Sequence, residues 1–436
     1  MKRRKLLAMM AANMASNLAV AQQPETPRID EAALRRLLEG LSEIGRPAGG
    51  TFASGVSRVG YTDEDLAGRA YVMDLMRKAG AKVRVDTAGN IFASRAGSDA
   101  SLAPLLFGSH ADSVPEGGNF DGALGALAAI EVLRVLDSQR INTRRGLTAV
   151  VWACEESSFA GSALNGSRAA AGMAQDMKKV SRGLTKAEAI RRIGGDPERI
   201  EAARISRGDY HAYLELHIEQ GAKLEKAGVP IGVVDGIVSI DDYEVVVAGA
   251  ANHAGTTPMN ERRDAMIAAA ELTLAVREIV TAEVGAQVGT VGHLEVSPNA
   301  VNVIPGQVRM SIELRDLSSA KLERLGETIR SRASAIATAT KTEITMTRNT
   351  HNEAALADAK IQGVIEETAK RLGLRTMHLP SGAGHDAQMM AKLMPMGMIF
   401  VPSIGGISHS PKELTSWKDC AQGANVLLGT VLEIAA

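Results

Sequence analysis

The stretch PLLFGSHADSVPEGGNFDGALGALAAIEVLRVL, residues 104–136, with LTAVVWACEE, residues 147–156, decides the fold. Residues 104–108 are a short apolar run closed by a turn, and residues 122–136 carry the alanine-rich apolar pattern of a buried helix. Residues 147–153 form a second apolar run, β-branched at Thr148, Val150 and Val151, as suits a buried parallel strand. Strand, loop, helix, strand is the grammar of a doubly wound α/β sheet, where functional residues collect at strand C-termini. His110, Asp112 and Asp121 follow the first run, and Glu155 with Glu156 follows the second.

Toward the N-terminus, residues 29–44 and 61–79 have helical apolar spacing, and 83–85 with 90–93 looks like a short strand pair. Toward the C-terminus the texture changes from about Gly221 to Asn349. Strands are expected at 240–248, 286–296, 307–314 and 342–346, with helices at 262–280 and 318–337. That βαββαβ order is the ferredoxin-like plan and predicts an inserted domain over residues 222–348. Residues 22–221 and 349–436 then make the main α/β domain, with a helix at 351–372 and a last strand at 398–401.

A chain of 436 residues exceeds what one core usually supports, which agrees with two domains. Its 49 basic and 50 acidic side chains nearly cancel, so the basic excess that nucleic-acid binding needs is absent. Cys154 and Cys420 are the only cysteines, which excludes a thiolate cluster and leaves His, Asp and Glu to hold any metal. At the N-terminus, Lys2-Arg3-Arg4-Lys5 precedes a mostly apolar stretch and the small-residue site Ala19-Val20-Ala21. The stretch is too short to span a bilayer, and the paired arginines resemble a twin-arginine export signal. Residues 1–21 are therefore expected to be a signal segment of a periplasmic protein, free of the membrane once processed; the alternative is a frayed end of a cytoplasmic one.

His110 and Asp121 flank the first strand end, where an imidazole and a carboxylate can share a cation, and Asp112 can orient His110 through its second ring nitrogen. Asp121 could equally cap the helix that opens at Gly122. Adjacent carboxylates at Glu155 and Glu156 repel each other unless one meets a cation and the other a proton or water. One can then ligate while the other moves the proton of an attacking water. His217 lies in the alternating stretch LELHIEQG and His409 in the loop GGISHSP. A lone strand histidine usually satisfies itself on nearby carbonyls, but His110, Asp121, Glu156, His217 and His409 together suffice for two cations sharing one carboxylate.

The strings GSHADSVPEGGNFDGALGALAAIEVL, ACEESS, LELHIEQG, ANHAGTTPM, NAVNVIPG, SGAGHDA and GGISHSPKE resemble those of the M20 metallopeptidase clan, in its amidase/hydantoinase/carbamoylase branch. The resemblance covers nearly the whole chain after the N-terminal segment. It implies that His110, Asp121 and His217 hold one divalent metal, that Asp121, Glu156 and His409 hold a second, and that Glu155 is the general base. It assigns the insert as a lid and homodimerisation domain, with hinges near Gly221 and Asn349. It gives His253 an oxyanion hydrogen bond, possible across the dimer, and gives Asn302 and Arg315 the substrate carboxylate. Gln220 and His385 match further substrate contacts. A guanidinium fork suits a carboxylate on physical grounds too, although Arg315 could instead pair with Asp316 at the surface.

The implied activity is zinc- or manganese-dependent cleavage of a ureido or amide C–N bond in a small carboxylate-bearing substrate. An N-carbamoyl-L-amino acid would release the amino acid, carbon dioxide and ammonia; allantoate and ureidoglycolate are the alternatives. A non-catalytic exported binder of small ligands would not need the retained Glu155. One departure stands out. The branch commonly carries Arg-Phe after Glu-Glu-x-Ser, whereas this chain has Phe159-Ala160, so a cation near the metals is missing.

Overall fold

The computed structural model describes residues 27–156 and 158–436. The expected signal segment lies outside them. Two helices open the fold, α1 (Glu31–Ser42) and α2 (Asp63–Lys78), capped by Asp30 and Thr62. They lead into β1 (Lys82–Val85), β2 (Ile91–Arg95), β3 (Leu105–His110), α3 (Ala123–Ser138) and β4 (Leu147–Trp152). After a long excursion the chain re-enters the same sheet as β5 (Tyr213–Ile218) and β6 (Ile231–Ile237). The second domain comprises β7 (Ser239–Ala248), α4 (Ala265–Ala282), β8 (Val288–Thr290), β9 (Leu294–Ser297), β10 (Gln307–Asp316), α5 (Ser319–Thr340) and β11 (Glu343–Asn352). The chain then returns through β12 (Ala355–Leu356), α6 (Ala359–Arg371), β13 (Thr376–Ser381), α7 (Asp386–Met390), β14 (Met396–Val401) and α8 (Trp417–Ile434).

The large sheet has nine strands in the order β1-β2-β4-β3-β5-β14-β6-β12, with β13 also beside β6. Its centre, β4-β3-β5-β14, is parallel throughout, and antiparallel pairs flank it. Those four strands are buried along their whole length, which explains their continuous apolar runs. One apolar cluster joins the sheet to α1, α2, α3 and α8, and a second, built on Phe92, Trp152, Tyr213 and Phe400, covers the other face. Helices and loops thus enclose both sides, as expected of a doubly wound sheet.

The second sheet runs β8-β10-β7-β11, with β9 continuing the β8 edge, and α4 and α5 cover one face around Val245, Leu272, Ile312 and Ile329. The expected βαββαβ order holds, but three boundaries move. The strand expected at 286–296 is broken between β8 and β9, both of which pair with β10. The insert does not begin at 222, because β6 hydrogen-bonds within the large sheet; the crossing falls at Val238. The helix expected from 351 begins only at Ala359, because pairing with β7 draws β11 on to Asn352. The two crossings lie side by side, with Ile240 opposite Asn352 and Ile237 opposite Ala355.

Candidate metal centre

Each parallel strand delivers its chemistry at its C-terminal end. His110 closes β3, Glu155 and Glu156 follow β4, His217 is the penultimate residue of β5, and the loop after β14 carries His409. Asp121 stands in the loop before α3 and meets the three imidazoles. Its Oδ1 lies 3.5 Å from His110 Nε2 and 3.1 Å from His217 Nε2, while its Oδ2 lies 3.3 Å from His409 Nε2. His409 Nε2 is also 3.6 Å from Glu156 Oε1. Two groups, His110-Asp121-His217 and Asp121-Glu156-His409, therefore share one carboxylate and can each hold a cation. These are the five residues expected from the sequence. Asp121 does not cap α3, whose N-cap is Gly122 with no side-chain bond.

The donor set fits metal ions. Nδ1 of His110 faces the Asp112 carbonyl at 3.1 Å, and Nδ1 of His217 faces the Ile218 carbonyl at 2.9 Å. A carbonyl only accepts, so each neutral ring carries its hydrogen on Nδ1 and a lone pair on Nε2. The Gly122 amide donates to His217 Nε2, as a lone pair there requires. Both Nε2 atoms lie within 3.5 Å of Asp121 Oδ1, acceptor against acceptor, an arrangement that repels unless a cation lies between. Glu156 Oε1 is buried with no hydrogen-bond partner.

Crowding of like charge displaces the pKa values of the buried carboxylates. Burial, then the neighbouring Glu156 and Asp386 charges, push Glu155 well above the ordinary carboxylate range, although His110 opposes this. Burial and Asp121 lift Glu156 to about 7. Burial works against ionised Asp121, but protonated His110 and His217 rings, standing in place of a cation, would hold it well below its usual value. The Asp121 hydrogen bond raises His409 to about 9.

Asp112 differs from expectation. Its backbone carbonyl, rather than its carboxylate, meets His110 Nδ1; the carboxylate lies 3.7 Å away and accepts from the Glu155 and Glu156 amides at 3.1 and 3.2 Å. It therefore orients Glu155 and Glu156 through their backbone amides. Glu155 Oε2 lies 3.8 Å from His110 Nε2, beside the first ligand group.

The expected substrate residues separate into three places. Gln220, at φ +58°, donates to Asp121 Oδ2 at 2.6 Å and so belongs to the centre. His385 is buried against His217, with ring centroids 4.5 Å apart, and its Nε2 meets Ser381 Oγ at 2.8 Å. Glu215, His217 and His385 also approach one another, yet Glu215 already accepts from Ser109, Tyr213 and the Ala387 amide, so this grouping needs no ion. Arg315 does not pair with Asp316, which binds Lys321. Its Nε meets Glu313 at 2.7 Å, and its Nη1 donates across the domain boundary to the Gly382 carbonyl at 2.6 Å. His253 is exposed on a short strand pair of the insert and Asn302 in the turn before the second of those strands, and neither bonds to the candidate ligands among the described residues. His253 Nδ1 accepts from the Gly255 and Thr256 amides, which leaves Nε2 as a donor.

Glu413 and Lys186 are buried charged residues that the sequence reading missed. Glu413 braces Asp121 and closes the GGISHSPKE string. Lys186 lies beneath the loop that follows Glu156. Where the branch carries Arg-Phe, Phe159 is buried edge-on to Tyr61, and the Lys186 ammonium sits 5.1 Å from its ring centre. A cation thus stands beside the substituted position.

The model of peptidase family M20/M25/M40 matches residues 106–433. An N-carbamoyl-L-amino acid amidohydrolase of Geobacillus stearothermophilus is 39% identical over 408 residues, covering 93% of this chain and 98% of the relative. A ureidoglycolate hydrolase of Arabidopsis thaliana is 36% identical, covering 97% and 88%. The crystal structure of a hydantoinase/carbamoylase family amidase from Burkholderia multivorans superposes with a TM-score of 0.85 at 35% identity, covering 94% of this chain and 98% of that one. With its ligand groups at the strand ends and these similarities along nearly its whole length, the chain belongs to peptidase family M20/M25/M40, among the hydrolases of the amidase/hydantoinase/carbamoylase branch.

Proposed function

We propose that the protein is a two-cation amidohydrolase, zinc- or manganese-dependent, that cleaves the ureido C–N bond of an N-carbamoyl-L-amino acid. The observation that carries this is Asp121, whose two oxygens face separate ligand groups and two imidazole lone pairs. Divalent cations bound there would supply Lewis acidity to the carbonyl and acidify water. Glu155, buried beside them, takes the proton of the attacking water and returns it to the leaving nitrogen. His253 donates from Nε2 to the developing oxyanion, and Arg315 with Asn302 receives the substrate carboxylate. His253 and Asn302 are exposed and bond to none of the candidate ligands of their own chain among the described residues, which supports a homodimer whose insert serves the partner's site. Exposed Ile267, Leu274, Val288 and Leu294 on the outer helix and edge strands of the insert also support that assembly.

Ureidoglycolate is the second reading, favoured by the similarity to the plant hydrolase over both chains. Allantoate offers the same ureido and carboxylate groups. We place the processed protein in the periplasm on the twin-arginine pattern. Ammonia release from N-carbamoyl-L-amino acids, ureidoglycolate and allantoate, measured after stripping and reloading with zinc or manganese, tests the proposal. Carbamoyl amino acids should turn over fastest. A fully loaded protein that releases ammonia from none of the three would overturn it.

A further inference from the structure

We infer that Glu413 is a positioning residue that builds the second cation position by locking Asp121 to the His409 loop. Its Oε1 accepts from the amides of Phe120 and Asp121 at 2.9 and 3.0 Å, across nearly three hundred residues of sequence. Its Oε2 meets Ser408 Oγ at 2.8 Å, and the same hydroxyl meets Asp121 Oδ2 at 2.8 Å. One buried carboxylate therefore holds the shared ligand by its backbone, and the Ser408 hydroxyl, whose single hydrogen serves one carboxylate at a time, lies between the two side chains. Gly118 leaves room for it, since a β-carbon there would overlap the Glu413 carboxylate.

The two cation positions depend on this brace unequally. His110 and His217 are fixed by sheet strands and by carbonyls at Nδ1, so two of the three ligands of the first group are held by the fold without Glu413. His409 has no such frame. It lies in a loop at φ +53° with its side chain 52% exposed, one residue after Ser408. Loss of Glu413 should release the Asp121-Glu156-His409 group and spare the His110-Asp121-His217 group. The inference rests on the two-cation reading and adds the element that makes the second position.

The test is calorimetric titration of the metal-stripped full chain with zinc or manganese alone, for wild type, Glu413→Ala, Glu413→Gln and Ser408→Ala. Wild type should take up two equivalents. Glu413→Ala should bind the second about 10- to 100-fold more weakly, the usual cost of losing a partner that orients a ligand, with the first changed by less than about threefold. Glu413→Gln keeps an acceptor for both amides and should recover most of the affinity. If Glu413→Ala does not fold, Ser408→Ala carries the test, with the same selective loss on a smaller scale. Two unaltered equivalents in the variant that carries the test, or equal weakening of both in a folded protein, would overturn the inference. Fewer than two equivalents in wild type would instead overturn the two-cation reading, and the inference with it.

Discussion

Lys186 is 3% exposed and makes no ion pair among the described residues. Its ammonium donates to Asn165 Oδ1 and lies 5.3 and 5.1 Å from the ring centres of Tyr61 and Phe159. Burial lowers its pKa from 10.5 to about 8. The unfolded chain therefore binds more protons than the folded one between those values, and stability rises with pH across that window. The displacement corresponds to a penalty of about 3 kcal/mol near neutral pH, where both states are charged. At about pH 9.5 the folded lysine is mostly neutral and the penalty falls to about 1.4 kcal/mol. Lys186→Met keeps the apolar stem and removes the titration. Its cost is the cation–π contact, worth about 0.5–2 kcal/mol, and the bond to Asn165. Urea unfolding of both proteins at about pH 7 and about pH 9.5 should show wild type gaining on the variant by about 2 kcal/mol. Parallel behaviour of the two proteins over that range would refute the assignment of a penalised buried ammonium.

Glu155→Gln should retain its metal, measured by elemental analysis, while turnover drops by about 10²- to 10⁴-fold; full activity would remove Glu155 from the base role. Gly122→Ala meets two obstacles: φ is +62°, and the new β-carbon would overlap the His110 ring. A stability loss of about 1–2 kcal/mol from the backbone alone, with weakened binding of the first cation, is expected in melts and chelator competition, and an unchanged melt would contradict it. Arg315→Lys loses the guanidinium fork and should raise KM by about tenfold with kcat nearly kept. An unaltered KM would place the substrate carboxylate elsewhere.

The candidate ligands were legible because they sit at, or in the loops that follow, strands whose apolar runs are unmistakable. Residues 105–110 and 147–152 are buried on both faces, so their sequence carries no ambiguity of side. The insert was legible through its element order, but its border was not. The strand Ile231–Ile237 precedes the insert with no break in composition, and only pairing with Phe400 and Leu379 assigns it to the large sheet. The helix misplaced at 351–358 failed for a related reason, since cross-strand pairing with residues 240–242 overrides local pattern. Asp112 was identified by position, yet its carboxylate serves the backbone of Glu155 and Glu156, a choice set by loop geometry that spacing does not encode. Glu413 escaped because its partners are remote in sequence. Lys186 escaped because a buried ammonium looks like any other lysine in a string of letters.

The paired crossings between the two domains form a ribbon in which Ile237 faces Ala355 and Ile240 faces Asn352. Such a ribbon flexes across its flat face and resists sliding along its length, because sliding would break its rungs. Any travel of the smaller domain would thereby be confined to something like a page turning on its spine. Because the entry and exit of that domain are cross-strand neighbours, residues 239–352 could be excised and the ends rejoined by a tight turn, leaving the nine-stranded body continuous.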